Sequence, residues 1–269
     1  MTEPKENERA GARGFVNPLK DPAGGNSRET VAAAPAGPVE KPSGQVVEFK
    51  SWMSVTAGEA SGDLFRQRLR LAGIPKKFME KRLQNFSTPT HAHRKVLEAA
   101  RDYVAYFCNN KGQGVNGLWL HGRVGTGKTY IAVGILREVL GQGFSGLYCN
   151  VPEFLKNIRA TYGSVGGPDE GELIDETRDV DLLVLDDLGV EGRVLDPVRD
   201  RSKWLCERLY LIVNGRYEVD KPIVMTSNCD LDVLQQQLDE RTVSRLMEMT
   251  WSRKFPPFPD KDYRRSQMS

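Results

Sequence analysis

Residues 122–129 read GRVGTGKT, a complete GxxxxGK[ST] motif. The apolar run GLWLH before it is typical of a buried strand, and YIAVGILREVL after it predicts a helix. The glycines let the backbone curl so that successive N–H groups point at phosphate oxygens, and the start of the helix adds the positive end of its dipole. The flanking strand and helix distinguish the motif from an ordinary glycine-rich turn. The sequence therefore predicts a strand–loop–helix unit that binds phosphate groups.

The last residues of the motif have the chemistry of nucleoside triphosphate binding. Lys128 supplies a positive charge for the β- and γ-phosphates, and Thr129 offers its hydroxyl to Mg²⁺. GTP is disfavoured because no strand of the chain ends in NKxD. We predict that ATP binds with Mg²⁺ along the loop and the first helical turn, at Gly122, Arg123, Val124, Gly125, Thr126, Gly127, Lys128, Thr129 and Tyr130.

Two further apolar runs end in polar side chains suited to the same chemistry. The run LLVLDD ends in Asp186 and Asp187, about sixty residues after the motif. We expect Asp186 to hold Mg²⁺ and Asp187 to orient the attacking water, although acids at a strand end are also common in turns. The run KPIVMTSN ends in Asn228, whose amide would polarise the same water, and a plain turn is the alternative there too.

Short apolar runs alternate with helix-like segments through the middle of the chain. The runs are GLWLHG (117–122), SGLYCN (145–150), VDLLVLDD (180–187) and KPIVMTSN (221–228), and an amphipathic helix precedes them through Phe107. This alternation predicts an α/β fold in which a parallel sheet lies between two layers of helices, a three-layer αβα core.

The residues before this core divide into two parts. Residues 1–47 hold six of the fifteen prolines and few large apolar residues, so they predict a disordered tail. Residues 48–84 predict a short helical segment with seven basic residues between Arg66 and Arg82, which is either a solvated face or a partner-binding surface. The start of the chain lacks the apolar stretch of a signal peptide and no apolar run could cross a bilayer, so we expect a cytoplasmic protein without a membrane partner.

The series GRVGTGKT, VDLLVLDDLG, KPIVMTSN and LDERTVSRL resembles the AAA+ core of the DnaC/DnaI-type helicase loaders and their phage relatives, over roughly residues 85–255. The resemblance implies a P-loop NTPase fold with Walker A at 122–129, Walker B at Asp186 and Asp187, and sensor 1 at Asn228. It also implies an arginine finger at Arg241 and a second interface arginine at Arg245, both facing nucleotide across a subunit boundary. The residues alone allow a plainer interpretation, in which these arginines form an exposed helix pair.

The sequence differs from most AAA+ proteins in two respects, the second acid of Walker B and the length of chain available for a C-terminal lid domain. Asp187 stands where many have Glu, and its shorter side chain predicts slow turnover. Only a C-terminal tail, 256–269, follows the core, so we expect no C-terminal lid domain, and loaders of this family also lack one.

The resemblance further implies partners. A helicase loader binds ATP and single-stranded DNA, self-associates through the ATP site and delivers the replicative helicase, a DnaB-like hexamer, to DNA. The N-terminal segment 48–84 would bind the helicase. The helix at 151–162 carries Lys156, Arg159 and Tyr162 at three-residue steps, a pattern that suits backbone contact and base stacking on a single strand, or a solvated basic face.

Three other functions stay open. An IstB-like transposition helper ATPase shares the core but acts on duplex DNA. A P-loop small-molecule kinase would need an arginine-rich lid after the sheet. An ATP-gated adaptor without hydrolysis is compatible with Asp187.

Overall fold

The computed structural model describes residues 61–114, 117–162, 169–189, 199–251 and 255–259. The predicted disordered tail (1–47) and residues 48–60 of the N-terminal segment lie outside the described residues, as do residues 260–269. Among the described residues, no helix is both long and apolar enough to span a bilayer.

The core is a parallel sheet, as the alternating runs predict. Its strands are β1 (Leu118–His121), β2 (Gly146–Asn150), β3 (Leu182–Leu188) and β4 (Ile223–Ser227). Within the described residues the four strands follow the spatial order β1-β4-β3-β2, and every neighbouring pair is parallel. The carboxyl ends of β1, β3 and β4, which carry the predicted site residues, therefore meet at one edge of the sheet.

Helices cover both faces of the sheet. The described helices are α1 (Ser61–Leu71), α2 (His91–Asn109), α3 (Lys128–Gly141), α4 (Val151–Thr161), α5 (Glu170–Asp179), α6 (Arg199–Tyr217), α7 (Leu231–Gln237) and α8 (Glu240–Trp251). Alternate residues of β3 point to opposite faces: Leu182 and Val184 pack with α1 to α3, and Leu183 and Leu185 pack with α4 to α8. The three-layer αβα core is confirmed.

The segment before α2 packs on the core at several points. Ala72 O accepts a hydrogen bond of 2.8 Å from Tyr148 N on the free edge of β2. Leu83 lies so close to α3 that a Cβ at Gly134 would come within 2.6 Å of its Cδ2. Arg137 of α3 donates a hydrogen bond to the carbonyl of Met79. We call residues 72–86 the strap, because they run across the helix that begins with Lys128.

Helix α1 belongs to the N-terminal segment 48–84 and packs on the core with its apolar side. Leu69 is buried in the core, Phe65 packs partly buried against it, and Arg66 and Arg70 are exposed. The apolar side of α1 therefore serves the chain's own core, and its basic side faces outward. At the other end of the described chain, Phe258 is also buried in this core, beside Gly122 of the loop.

Arg216 of α6 connects the residues that precede β3 to the residue that precedes β4. Its side chain is fully buried, and burial lowers its pKa to about 9, so the guanidinium stays protonated at neutral pH. The guanidinium donates five hydrogen bonds of 2.8 to 3.2 Å to backbone carbonyls, which belong to Thr177, Arg178, Val180, Asp181 and Pro222. These carbonyls end α5 and lead into β3, which carries Asp186, and into β4, which Asn228 directly follows.

Candidate functional site

The loop 122–127 connects β1 to α3 in the conformation that the motif requires. Gly125 and Gly127 have φ angles of 83° and 97°, a backbone region that favours glycine. Gly127 is also the N-cap of α3, where a Cβ would lie 3.1 Å from the ring of Phe86. The hydroxyl of Thr126 donates to Arg123 O at 2.9 Å, which closes the turn. The loop thus presents the start of α3 as an anion-binding end.

Lys128 lies at the centre of this loop. Its side chain is 6% exposed, and Nζ donates to Gly122 O at 2.7 Å, Arg123 O at 2.8 Å and Asn228 Oδ1 at 2.6 Å. The ammonium group is therefore positioned between the loop and the end of β4. This contact brings together Lys128 and Asn228, one hundred residues apart, at the place where the γ-phosphate would lie.

Asp186 faces the same helix end from β3. Its Oδ1 accepts hydrogen bonds from Thr129 Oγ1 at 2.9 Å and from Thr226 Oγ1 at 2.7 Å, and its Oδ2 accepts one from Tyr148 OH at 2.6 Å. Asp186 is buried, with 2% of the residue exposed, and its carboxylate still has three hydroxyl donors. Burial, and then the charge of Asp186, raise the pKa of Tyr148, so its hydroxyl remains a proton donor to the carboxylate.

These oxygens fit Mg²⁺. Thr129 and Asp186 converge within hydrogen-bond distance, and the described residues contain no cluster of three or more His, Cys, Asp or Glu that could enclose a metal. Mg²⁺ prefers one or two protein oxygens and completes its octahedral shell with phosphate and water oxygens. The pair would therefore hold the metal of a Mg-nucleotide, which neutralises charge on the phosphates when it is bound.

Asp187 is held in an unusual backbone conformation next to Asp186. Its φ is 61°, and the pairing of β3 with β4 is irregular between Leu185 and Leu188. Its backbone N–H donates to Thr226 Oγ1 at 3.0 Å, and its carboxylate accepts from Asn150 Nδ2 at 3.2 Å. Burial, and then Asp186, raise the pKa of Asp187, while the Asn150 amide lowers it. The positive charge of Lys128 also lowers the pKa of Asp187, so the second acid senses the ammonium group of the loop.

Arg241 and Arg245 lie on α8, apart from this constellation. The Arg241 side chain is 70% exposed, its Nε lies 3.4 Å from Asp239 Oδ1, and its guanidinium lies 4.6 Å from the centre of the Tyr210 ring. Arg245 lies over the rings of Tyr210 and Tyr217. Within the described residues, no hydrogen bond joins Arg241 to the loop of its own chain. Both roles at a subunit boundary stay predictions.

The residues predicted to contact DNA lie on α4 and directly after it. Lys156 is exposed on the helix, whereas Tyr162 directly follows the last helical residue. Arg159 and Tyr162 both contact Trp204 of α6. The assignment of these residues to DNA stays a prediction.

Three residues that contact the paired aspartates were not predicted from the sequence. Tyr148, Asn150 and Thr226 have ordinary strand and strand-end side chains, and only the lateral register of β2, β3 and β4 brings them to the acids. The signal that could have found the residues of β2 is position, because Asn150 is the last residue of β2 and pairs with Asp186, and Tyr148 lies two residues before it on the same face.

The tyrosine gives a testable consequence for the metal. We expect Tyr148→Phe to raise the Mg²⁺ concentration needed for ATP binding by about tenfold, because hydroxyls that orient a metal ligand typically contribute this much to metal affinity. The measurement is a Mg²⁺ titration of fluorescent ATP binding. Tyr106→Phe on α2 is the matched control and should leave the Mg²⁺ requirement unchanged. An unchanged requirement in Tyr148→Phe would show that the hydroxyl does not position Asp186.

The fold and the site together define a P-loop nucleotide-binding protein of the AAA+ class. A family model described as "IstB-like ATP binding protein" matches residues 63–250, and the chain belongs to this family.

Individual relatives are more distant. The replicative helicase loader DnaC of Escherichia coli K12 is 28% identical over 163 residues, which is 61% of this chain and 61% of the relative. The loader DnaC of Buchnera aphidicola subsp. Baizongia pistaciae is 26% identical over 175 residues, 65% of this chain and 66% of the relative. The matched region thus spans less than two thirds of the length of these relatives.

Solved structures share the fold. A crystal structure of DnaI superposes with a TM-score of 0.55 at 24% identity, covering 72% of this chain and 97% of that one. A crystal structure of the DnaC helicase loader gives 0.55 at 22% identity, covering 69% of this chain and all of that one (100%).

Proposed function

We propose that this protein is an ATP-dependent loader of the replicative helicase, which binds Mg-ATP and single-stranded DNA and delivers the helicase to DNA. The observation that carries the proposal is the convergence of Lys128, Asn228 and the Thr129–Asp186 pair at one edge of the sheet. This convergence supports a working nucleotide site in a chain that is similar to DnaC loaders. We further propose that the protein hydrolyses ATP.

Slow, assembly-dependent hydrolysis suits such a role. The short side chain of Asp187 and its contact with Asn150 favour a loosely held water and a low rate. Self-association through the ATP site would bring the exposed Arg241 of one subunit to the nucleotide of the next, where a guanidinium stabilises the charge of phosphoryl transfer. Hydrolysis then depends on assembly, and ATP acts as a switch.

Two surfaces supply the proposed macromolecular contacts. Lys156, Arg159 and Tyr162 offer positive charge beside an aromatic ring for a single strand. The N-terminal segment 48–84 is the proposed binding segment for the helicase, a DnaB-like hexamer. Phe65 and Leu69 pack on the chain's own core. Among the described residues of this segment, the exposed basic side of α1 and the exposed Lys76, Lys77, Lys81 and Arg82 of the strap are available to a partner.

The proposal is tested by capture of the helicase. We expect the purified full chain to form a stable complex with the replicative helicase of its host, and ATP to change the amount of complex recovered on size-exclusion chromatography. A Lys128→Ala variant should bind the helicase but lose the response to ATP. No complex in either nucleotide state would contradict the loader function.

A second function is favoured by the family description, which names IstB-like proteins. A transposition helper with the same core would bind a transposase and assemble on duplex DNA. Capture of a transposase in place of the helicase, with duplex preferred over single strands, would select this alternative.

A further inference from the structure

Five side chains, four from α4, α5 and α6 and one from Tyr162 directly after α4, form a cluster at the end of α4. Trp204 of α6 lies beneath two guanidinium groups, those of Arg159 at 4.6 Å and Arg208 at 4.9 Å from the ring centre. Tyr162 meets Trp204 edge-on with 6.3 Å between ring centres and accepts a hydrogen bond of 3.1 Å from Trp204 Nε1. Glu170, at the start of α5, completes the cluster. We call these residues the α4–α6 cluster.

Glu170 occupies the central position of this cluster. Its Oε1 accepts a hydrogen bond of 2.5 Å from Arg208 Nε, and its Oε2 accepts one from the hydroxyl of Tyr162. Arg208 Nη2 also donates to Tyr162 OH at 3.1 Å. A carboxylate with an arginine and a hydroxyl as donors uses the same groups that hold a phosphate oxygen in nucleic-acid complexes. Glu170 therefore fills a position with the chemistry of a phosphate site.

The surroundings of this position suit a nucleotide strand. Tyr162 is 55% exposed, one of the few large apolar or aromatic side chains among the described residues with this much exposure. Lys156 of α4 and Lys203 of α6 are exposed on the two helices that carry the arginines. Glu207 also contacts Arg208, at 3.1 Å from Nη1. An exposed ring next to several cations is the arrangement that stacks unpaired bases and follows a phosphate backbone.

We propose that the α4–α6 cluster is a binding site for single-stranded DNA in which Arg208 and Trp204 act with Arg159 and Tyr162, and that the DNA phosphate displaces Glu170. The site rests on the proposed function, because it deepens the DNA contact suggested for α4. Arg208 holds the phosphate, the open face of Tyr162 stacks a base, and Trp204 supports both. A single strand is the occupant because stacking on Tyr162 requires an unpaired base.

The test compares two carboxylates that contact the same arginine. Glu170→Gln removes the charge that fills the phosphate position, and Glu207→Gln removes an equal charge at the rim. We expect Glu170→Gln to bind a fluorescent oligo(dT) strand about five- to tenfold more tightly than the wild type in anisotropy titrations. Glu207→Gln should change the affinity less than about twofold. Thermal unfolding of each variant checks the fold.

A second substitution ties the effect to Arg208. The double variant Glu170→Gln with Arg208→Gln should lose the gain, and its affinity should depend less steeply on salt, by about one unit in the logarithmic slope. Tyr162→Ala should weaken binding about tenfold, because one stacked base is lost.

Four outcomes would overturn the site. They are equal gains from Glu170→Gln and Glu207→Gln, no gain from Glu170→Gln, a gain that survives loss of Arg208, or an equal gain for duplex DNA. The oligonucleotide assay contains no helicase, so it separates this site from the loader function. A gain with no helicase capture would support the site and contradict the loader proposal, and helicase capture without a gain would do the reverse.

Discussion

We expect the Arg241→Ala variant to bind ATP as tightly as the wild type and to hydrolyse it about 10³-fold more slowly in the assembled state. The reason is the position of Arg241 on α8, where it is mostly exposed and directed at Tyr210 and Asp239 of its own chain. In the assembly that we propose, this arginine would reach the nucleotide of the neighbouring subunit. Its removal then affects the transition state in a neighbouring subunit, while ground-state binding in its own loop is retained.

Mixing two inactive variants provides the decisive measurement. A Lys128→Ala subunit cannot bind ATP but still offers Arg241 to its neighbour. An Arg241→Ala subunit binds ATP but has no arginine finger to offer. Mixed assemblies should therefore recover part of the steady-state ATPase activity that either variant alone lacks. The control mixes Arg241→Ala with the double variant, which offers no arginine and should recover nothing. If the first mixture also stays inactive, Arg241 does not act between subunits.

We expect Arg216→Met to lower the free energy of unfolding by on the order of 4 kcal/mol, a large share of the stability of a typical domain. Methionine fills a similar volume but removes all five hydrogen bonds that Arg216 donates, and of these carbonyls Pro222 O keeps a second donor, Leu183 N at 3.4 Å. Buried carbonyls that lose their donor retain the full cost of their removal from water. The loss should appear in urea denaturation followed by circular dichroism.

Arg178→Met is the matched control for this substitution. Arg178 lies on the adjacent helix α5 and forms an ion pair with Asp175 at 3.3 Å, with 43% of its side chain exposed. Exposed pairs of this kind contribute little, so the control should lose no more than about 1 kcal/mol. A similar small loss for Arg216→Met would mean that water replaces the guanidinium at the carbonyls.

The class of fold and the centre of the site could be predicted from the sequence because their signals are local. The loop from Gly122 to Thr129 contains its own geometry, and the apolar runs end directly at Asp186 and Asn228. Parallel strands place their carboxyl ends at one edge, so Lys128 and Asn228 are expected at the same edge of the sheet. Their direct contact also depends on the pairing of β1 with β4.

The remaining features depend on lateral register and helix packing, which a sequence pattern does not determine. Tyr148 meets Asp186 only because Tyr148 pairs with Val184 in the sheet, two positions before the acid. Arg216 and the Glu170–Arg208 pair join helices that are far apart in the chain, and nothing in their local sequence distinguishes them from surface charges. The basic stretch before the core was ambiguous for the same reason, since the buried side of α1 is apparent only after packing.

The strap also has a consequence for preparing the nucleotide-binding unit by itself. Leu83 packs against Gly134 of α3, and Phe86 packs against Gly127. Tyr130 OH donates a hydrogen bond to Arg82 O at 3.1 Å. A recombinant fragment that started at β1 would expose this apolar side of α3 to water and take away the packing partner of Gly127. An expressible fragment of the ATP-binding unit therefore needs to include the whole strap and to begin no later than residue 72.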